Sequence, residues 1–315
     1  MPEDGGTLSW HAPITHTRGS GALDAQLGKQ WSLFRGEDVF IAMSSRALKG
    51  ARSSARLHVD LPDDWSFVSA LPAAAQGYIV EDTPRNFDRP RGWMIAGEIG
   101  VRIDRIAGVR TSVAAGKGQT VRRQDMLALL NWTMPDLVRL LPDYPTEILI
   151  VSAEDPFWRG GLSGPASLYL HADRPLISEN GTSTLVHEMF HVGFGRSGGK
   201  LDDWIIEGLA EYYSVELLRR SGTVTASRNA KTMRTLERWA KKSKKLRGAR
   251  SSGARTARAV GVLALDTEIR RGSKHSLDDV VQALSQEDGA LDLDELRAAV
   301  RKVSGKPSKV LADIS

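Results

Sequence analysis

Apolar residues in the first third of the chain either alternate with polar ones or gather in short blocks, the spacing of strands. Residues 39–43, 55–61 and 100–106 carry this pattern, and Asp104 and Ile106 alternate as a half-buried strand should. The strings 60–64 and 84–86, built on Pro, Asp and Asn, read as turns or loops. From residue 124 the period lengthens. Met126, Leu127, Leu129, Leu130, Leu137, Leu140 and Leu141 fall at helical spacing, with an interruption expected at Pro135. Residues 147–151 read as a buried strand and 166–171 as another. Beyond them come two helices that carry the chemistry described below, then a basic helix. A last helical region has apolar faces marked by Leu263, Leu265 and Ile269 and, past the Gly272-Ser273 break, by Val280, Val281 and Leu284. The change of period, with 114–118 as a linker, divides the chain into a β-rich amino-terminal domain, 1–118, and a mainly helical domain, 119–315. The expected class is α+β.

At 315 residues the chain can bury a sizeable core. Its 41% hydrophobic and 26% charged residues are ordinary globular usage, and its longest apolar runs are strand-sized, so no membrane span is expected. With no cysteine, disulfides and thiolate metal ligation are excluded, and a metal would rest on histidine and carboxylate. The first ten residues lack a basic-then-apolar leader, which predicts a cytoplasmic protein as the sequence stands, or an extracytoplasmic one where a leader was removed.

The net charge of +5 is unevenly spread. From Arg228 to Arg258 twelve Lys and Arg stand against one acid, Glu237, so this segment carries +11 and the remainder −6. It reads as a solvated helix followed by a flexible loop, and as a place where acidic peptides or polyanions could bind. The segment holds one aromatic, Trp239, and no recognisable nucleic-acid module, which argues against nucleic acid as the partner.

The densest chemistry lies at 184–191, Thr-Leu-Val-His-Glu-Met-Phe-His. On a helix His187 and His191 sit on one face, so both imidazoles reach one ion, and Glu188 can address a water there. Ser183 or Thr182 suits the N-cap, and Gly193 and Gly195 fall where the helix should weaken and stop. Sixteen positions past His191 comes Glu207, in a second helical string at 203–213, with Glu211 one turn further on the same face. Glu207 can supply a third ligand and leave the fourth position open. Glu211 can accept a hydrogen bond from a ligand imidazole and so orient it. One Zn2+ per chain is the expected cofactor.

The His-Glu-x-x-His string, followed by Trp-x-x-Glu-Gly-x-Ala-Glu-Tyr at 204–212, resembles the gluzincin peptidases, especially the aminopeptidase N and glycyl aminopeptidase families. The resemblance covers roughly 124–284 and is specific around 183–213. It implies a thermolysin-like zincin catalytic domain behind an amino-terminal β domain, with His187, His191 and Glu207 as zinc ligands and Glu188 as general base. The implied substrate is a peptide or protein, hydrolysed by a metal-activated water. Gly160, Gly161 and Leu162 fall where those families carry a substrate-binding loop, and 168–171 would then be the edge strand that pairs with peptide.

Three features depart from the family pattern. Only fifteen residues separate His191 from Glu207. The loop at 160–164 has no acid to grip a free amine, which leaves aminopeptidase and endopeptidase both open. No tyrosine follows Tyr213, so the oxyanion donor must be another group, with Arg255, Arg258 and His275 as candidates. These departures motivate one alternative, a catalytically weak or inactive zincin-fold module that binds peptides or proteins. Retention of Glu188 favours the enzyme.

Overall fold

The computed structural model describes residues 5–42, 53–80, 89–263 and 265–314. Met43 and the turn string at 84–86 lie outside the described residues. The amino-terminal part carries β1 (Thr15–Thr17), β2 (Leu23–Leu27), β3 (Trp31–Arg35), the single turn α1 (Gly36–Val39), β4 (Ala55–Leu57), β5 (Ser66–Ser69), β6 (Tyr78–Val80) and β7 (Trp93–Gly97). There follow β8 (Ile99–Ile106), β9 (Val109–Gly116), α2 (Arg123–Leu140), β10 (Glu147–Ala153), β11 (Gly161–Gly164) and β12 (Ser167–His171). The rest is helical: α3 (Thr184–Phe194), α4 (Asp203–Arg220), α5 (Ala226–Ala240), α6 (Ala254–Leu263), α7 (Asp266–Gly272), α8 (Leu277–Ser285), α9 (Leu293–Ser304) and α10 (Lys309–Ala312).

One sheet runs β1-β2-β3-β7-β5, antiparallel throughout, and β4 pairs with β6 apart from it. The other large sheet runs β11-β12-β10-β9-β8, parallel at its centre and antiparallel at both edges. The position 118/119 falls just after β9, whose parallel neighbour is β10, so strands from both sides of that position share one sheet. This sheet is covered on both faces, which explains why 148–151 is apolar without alternation. Ile148 and Ile150 face the helices, while Leu149 and Val151 meet Leu33, Trp93 and Ile95 of the first sheet. Each such side chain contributes about 1.5–3 kcal/mol by its burial.

Three expectations are corrected here. Residues 36–39 form a helical turn, and 40–42 continue without regular structure. The apolar run is satisfied by packing Val39 and Phe40 against Ala25, Phe34 and Met94 rather than by strand pairing. Pro135 does not interrupt α2, which runs through it. The proline removes one N–H from the ladder, but Met134 and Leu137 beside it are buried in the main core, which holds the helix together. Finally, 168–171 is not the sheet edge. β12 lies between β10 and β11, and the free edge is β11.

Candidate metal centre

Helix α3 is tied at both ends and in the middle. Ser183 Oγ accepts the Val186 N–H at 3.3 Å, and Gly195, at φ 68°, donates its N–H to the His191 carbonyl. Tyr144 donates its hydroxyl to the Met189 carbonyl at 2.9 Å, and a Cβ on Gly193 would stand 2.2 Å from the Tyr144 ring. Gly193 is therefore a slot for that ring inside the helix, and Gly195 is the stop. Phe190 stacks on Tyr213 of α4 at 5.3 Å, and Tyr213 and Arg220 both bond Asp278.

The short α3–α4 connection is closed by backbone bonds from Gly199 to Leu291 (2.7 Å) and from Leu291 to Ser197 (2.9 Å). Buried Asp202 accepts two bonds from Arg247, at 2.7 and 2.9 Å, and others from the Trp204 indole and the Leu293 N–H. These ties set the register at which α4 meets α3.

In that register the Nε2 atoms of His187 and His191 lie 3.1 Å apart. The Glu207 carboxylate oxygens stand 3.4 Å from His187 Nε2 and 3.5 Å from His191 Nε2. A tetrahedral ion bound at about 2.0–2.1 Å spaces its ligand atoms about 3.3 Å apart. The three groups already stand at the separations that one ion requires. Among the described residues they are the one cluster of three or more histidines and carboxylates that could hold a metal. Glu211 Oε2 lies 3.1 Å from His187 Nδ1, on the far side of the ring.

Glu188 is 8% exposed and accepts the Ser163 N–H at 2.9 Å. Gly161 makes this approach possible. A Cβ there would come within 2.7 Å of Thr184 Cγ2 and 2.9 Å of Glu188 Cγ, so β11 can lie against α3 only with glycine at that position.

The electrostatics suit a cation. Burial alone would depress His187, but hydrogen bonds to Glu207 and Glu211 push its pKa up to about 10. His191 is pushed down to about 4 by burial and by the charge on His187. Burial opposes ionisation of Glu207, yet the bond to His187 holds its pKa below the usual carboxylate value. Burial raises Glu188, the direction a general base needs to work near neutrality. The carboxylates that raise His187 would also compensate the positive charge of an ion held there.

His187, Glu188, Glu207 and Glu211 open on a cavity of about 460 Å³. Gly160 and Gly161 line it. Leu162 does not. It packs toward the amino-terminal sheet, and its carbonyl accepts the Trp93 indole N–H at 2.9 Å. Of the candidate oxyanion donors, none lines the cavity. The Arg255 guanidinium donates to the Arg250 carbonyl, drawn there by the short loop before α6. Arg258 bonds the Ser243 carbonyl. His275 is 52% exposed and pairs with Asp279 one turn along α8.

The sequence reading missed Trp158, Trp239, Ser251 and Thr256, which complete the walls. For Trp158 a signal existed, because an aromatic two residues before a Gly-Gly needs space. A Cβ on Gly160 would lie 2.3 Å from the Trp158 ring. Ser251 comes to the wall because its N–H bonds Asp203, one turn before Glu207; its hydroxyl is buried with no partner among the described residues.

No protein-family model and no curated protein matches the sequence. Among solved structures the fold is similar to that of an aminopeptidase N family protein from Idiomarina loihiensis, with a TM-score of 0.61 and 16% identity over 84% of this chain and 54% of that one. It is also similar to an M1 zinc metallopeptidase from Deinococcus radiodurans, with a TM-score of 0.52 and 14% identity over 79% of this chain and 59% of that one. A mutant of the Deinococcus enzyme bound to a Tyr-Ser-Ala substrate matches with a TM-score of 0.50 and 15% identity over 79% of this chain and 60% of that one. The chain thus spans 54–60% of the length of these structures. They define the class of fold: a mixed α+β architecture with β-sheets toward the amino terminus and a helical carboxy-terminal part, similar to M1 peptidase folds.

Proposed function

We propose that the chain is a zinc-dependent peptidase of gluzincin type, in which His187, His191 and Glu207 hold one Zn2+ and Glu188 is the general base. The observation that carries this reading is the convergence of two Nε2 atoms and a carboxylate at ligand separations, with a buried glutamate beside them on the same cavity wall. Similarity to the folds of zinc metallopeptidases, one of them bound to a peptide substrate, supports it. When bound, the ion supplies Lewis acidity to water and to the scissile carbonyl.

Everything else falls to the chain. Glu188, held by the Ser163 N–H, takes a proton from the attacking water and returns it to the leaving amine. Glu211 accepts a hydrogen bond from the Nδ1–H of His187 and fixes that ring's tautomer, so Nε2 is free to ligate. The edge strand β11 lines the same cavity as the metal centre at Gly161, and there it pairs with an extended peptide. No carboxylate other than Glu188, Glu207 and Glu211 is among the described residues that line the cavity. No further acid is there to hold a free α-amine, which favours internal bonds over amino-terminal ones.

Glu188→Gln tests this reading. The variant should bind zinc like the wild type while hydrolysis of a mixed peptide library disappears, read by mass spectrometry. Undiminished hydrolysis by the variant would sink the assignment of the base. A wild-type protein that binds zinc and peptides without cleaving any would move the function to the binding module.

A further inference from the structure

The basic helix α5 forms one wall of the metal cavity and also the wall of a second groove. Its apolar side, with Met233, Leu236 and Ala240, packs on Val215 of α4 and on Ala257 and Val260 of α6. Leu236 and Trp239 reach the metal cavity. The opposite side presents Arg228, Lys231, Arg234 and Arg238 to a groove of about 740 Å³, where four cations stand against one carboxylate, Glu179. Among the described residues no carboxylate pairs with any of the four. Arg228 bonds the Ser178 carbonyl at 3.1 Å and Arg238 the Thr235 hydroxyl at 3.1 Å. Four cations against one carboxylate leave three positive charges uncompensated in this groove.

The groove continues the metal cavity. Asn180 lines both, and Ser178, which lines the cavity, receives Arg228 from the groove side. The turn between them is fixed against α5. Gly181 has φ +81°, and a Cβ there would meet Thr232 Oγ1 at 2.1 Å, so the turn can approach the helix this closely only with glycine. A chain lying in the metal cavity therefore has a walled path past Asn180 onto the cationic face.

Resting on the peptidase reading above, we propose that this face is a specificity subsite for peptides that carry an acidic segment to one side of the bond in the cavity. From Arg228 to Arg238 is ten residues, about 15 Å along the helix, which matches about four to five residues of extended peptide. The one aromatic of the basic segment, Trp239, lies on the metal cavity and not on the groove, so the groove offers bases no stacking platform. A peptide rather than a nucleic acid fits the combination of free strand edge, metal centre and bare cations.

The test uses zinc-loaded Glu188→Gln protein and two fluorescein-labelled peptides that share one central sequence, one flanked by four Glu and the other by four Gln. Binding is followed by anisotropy, and hydrolysis of the same pair by wild type is followed in parallel. The Glu-flanked peptide should bind on the order of tenfold more tightly in about 0.1 M salt, and the difference should vanish near 1 M. Lys231→Glu with Arg234→Glu, both exposed positions, should erase or invert the preference while the Gln-flanked peptide binds as before. Equal binding of the two peptides overturns the proposal, as does a preference that survives the double reversal. So does a single-stranded oligothymidylate that occupies the face more tightly than the acidic peptide. Selective binding of the Glu-flanked peptide with no hydrolysis of either by wild type upholds the subsite and counts against the peptidase reading alone.

Discussion

Glu211→Ala should weaken Zn2+ binding by about 10–100-fold without unfolding the protein. The carboxylate does not touch the ion's position. It acts through His187, whose Nδ1 lies 3.1 Å from Glu211 Oε2 while the opposite nitrogen, Nε2, faces the ligand cluster. Removing it has two effects. The ring loses the acceptor that fixes which nitrogen carries the proton, and the centre loses one of its negative charges. Two unit charges about 7 Å apart, the span across the ring, interact by about 2.4 kcal/mol near a protein surface. The Glu211 side chain is 18% exposed, so solvent screens part of this, and the lost acceptor adds to what remains. A total loss of about 1.4–2.7 kcal/mol corresponds to the 10–100-fold range. Glu211→Gln keeps an acceptor oxygen but not the charge, and should fall between wild type and Ala. Competition for zinc with a chromophoric chelator measures all three proteins on one scale, and far-UV circular dichroism confirms that α4 is intact. An affinity for the Ala variant within about twofold of wild type would refute the orienting role. So would a Gln variant weaker than Ala.

Metal binding should also release protons. His187, raised to about 10, is protonated at neutrality and must lose that proton to ligate, whereas His191, lowered to about 4, is already neutral. About one proton should leave per ion, and affinity should rise about tenfold per pH unit between about pH 5 and about 9. Calorimetry in buffers of different ionisation heat reads the proton count, and an affinity flat across that range would contradict the account. Asp202→Asn leaves Arg247, itself one third exposed, without its carboxylate and should cost about 1.5–3 kcal/mol of unfolding free energy by urea titration. Burial opposes ionisation of Asp202, but its bonds to Arg247, Trp204 and Leu293 hold its pKa below normal, so its contribution is present above about pH 4 and is lost as pH falls through the folded value. The gap between variant and wild type should therefore shrink in acid. Gly193→Ala sets two effects against each other: a helix-propensity gain of about 1 kcal/mol, and a methyl placed 2.2 Å from a Tyr144 ring that its own hydroxyl bond anchors. The clash should win, with a net loss of about 1–2 kcal/mol, and a melting temperature at or above wild type would show that the ring can move.

What could be read from the sequence and what could not divide along the range of the interactions involved. His187 and His191 lie four apart on one helix, with Glu188 beside the first, and Glu207 and Glu211 four apart on the next, so helical periodicity alone places each pair on one face. The buried strand at 147–151 was legible for a similar reason, because a strand covered on both faces must be apolar at every position. Strand order has no such local trace. The run at 168–171 has an edge strand's length and looks no different in sequence from an edge, yet β10 takes one side of it and β11 the other. Glycines at 160 and 161 signalled a close approach, but only the fold shows that the partners are Trp158 for one and Glu188 for the other. Arg255 failed as an oxyanion candidate for the same reason. Its distance along the chain from Tyr213 was suggestive, but a carbonyl five residues earlier captures its guanidinium.

The missing tyrosine bears on this directly. The wall of the cavity where α6 begins is supplied by Ser251 and Thr256, both buried, and Ser251 is fixed there by its N–H on Asp203 of the helix that bears Glu207. That part of the cavity is built at a loop-to-helix junction by short polar side chains together with Trp239 of α5, which lies against Gly253. The Ser251 hydroxyl itself is buried behind that wall, with no hydrogen-bond partner among the described residues. The metal-facing half of the cavity thus follows from two helices read locally, whereas its opposite half depends on how the loop 241–253 is tied to α4 through Asp202 and Asp203.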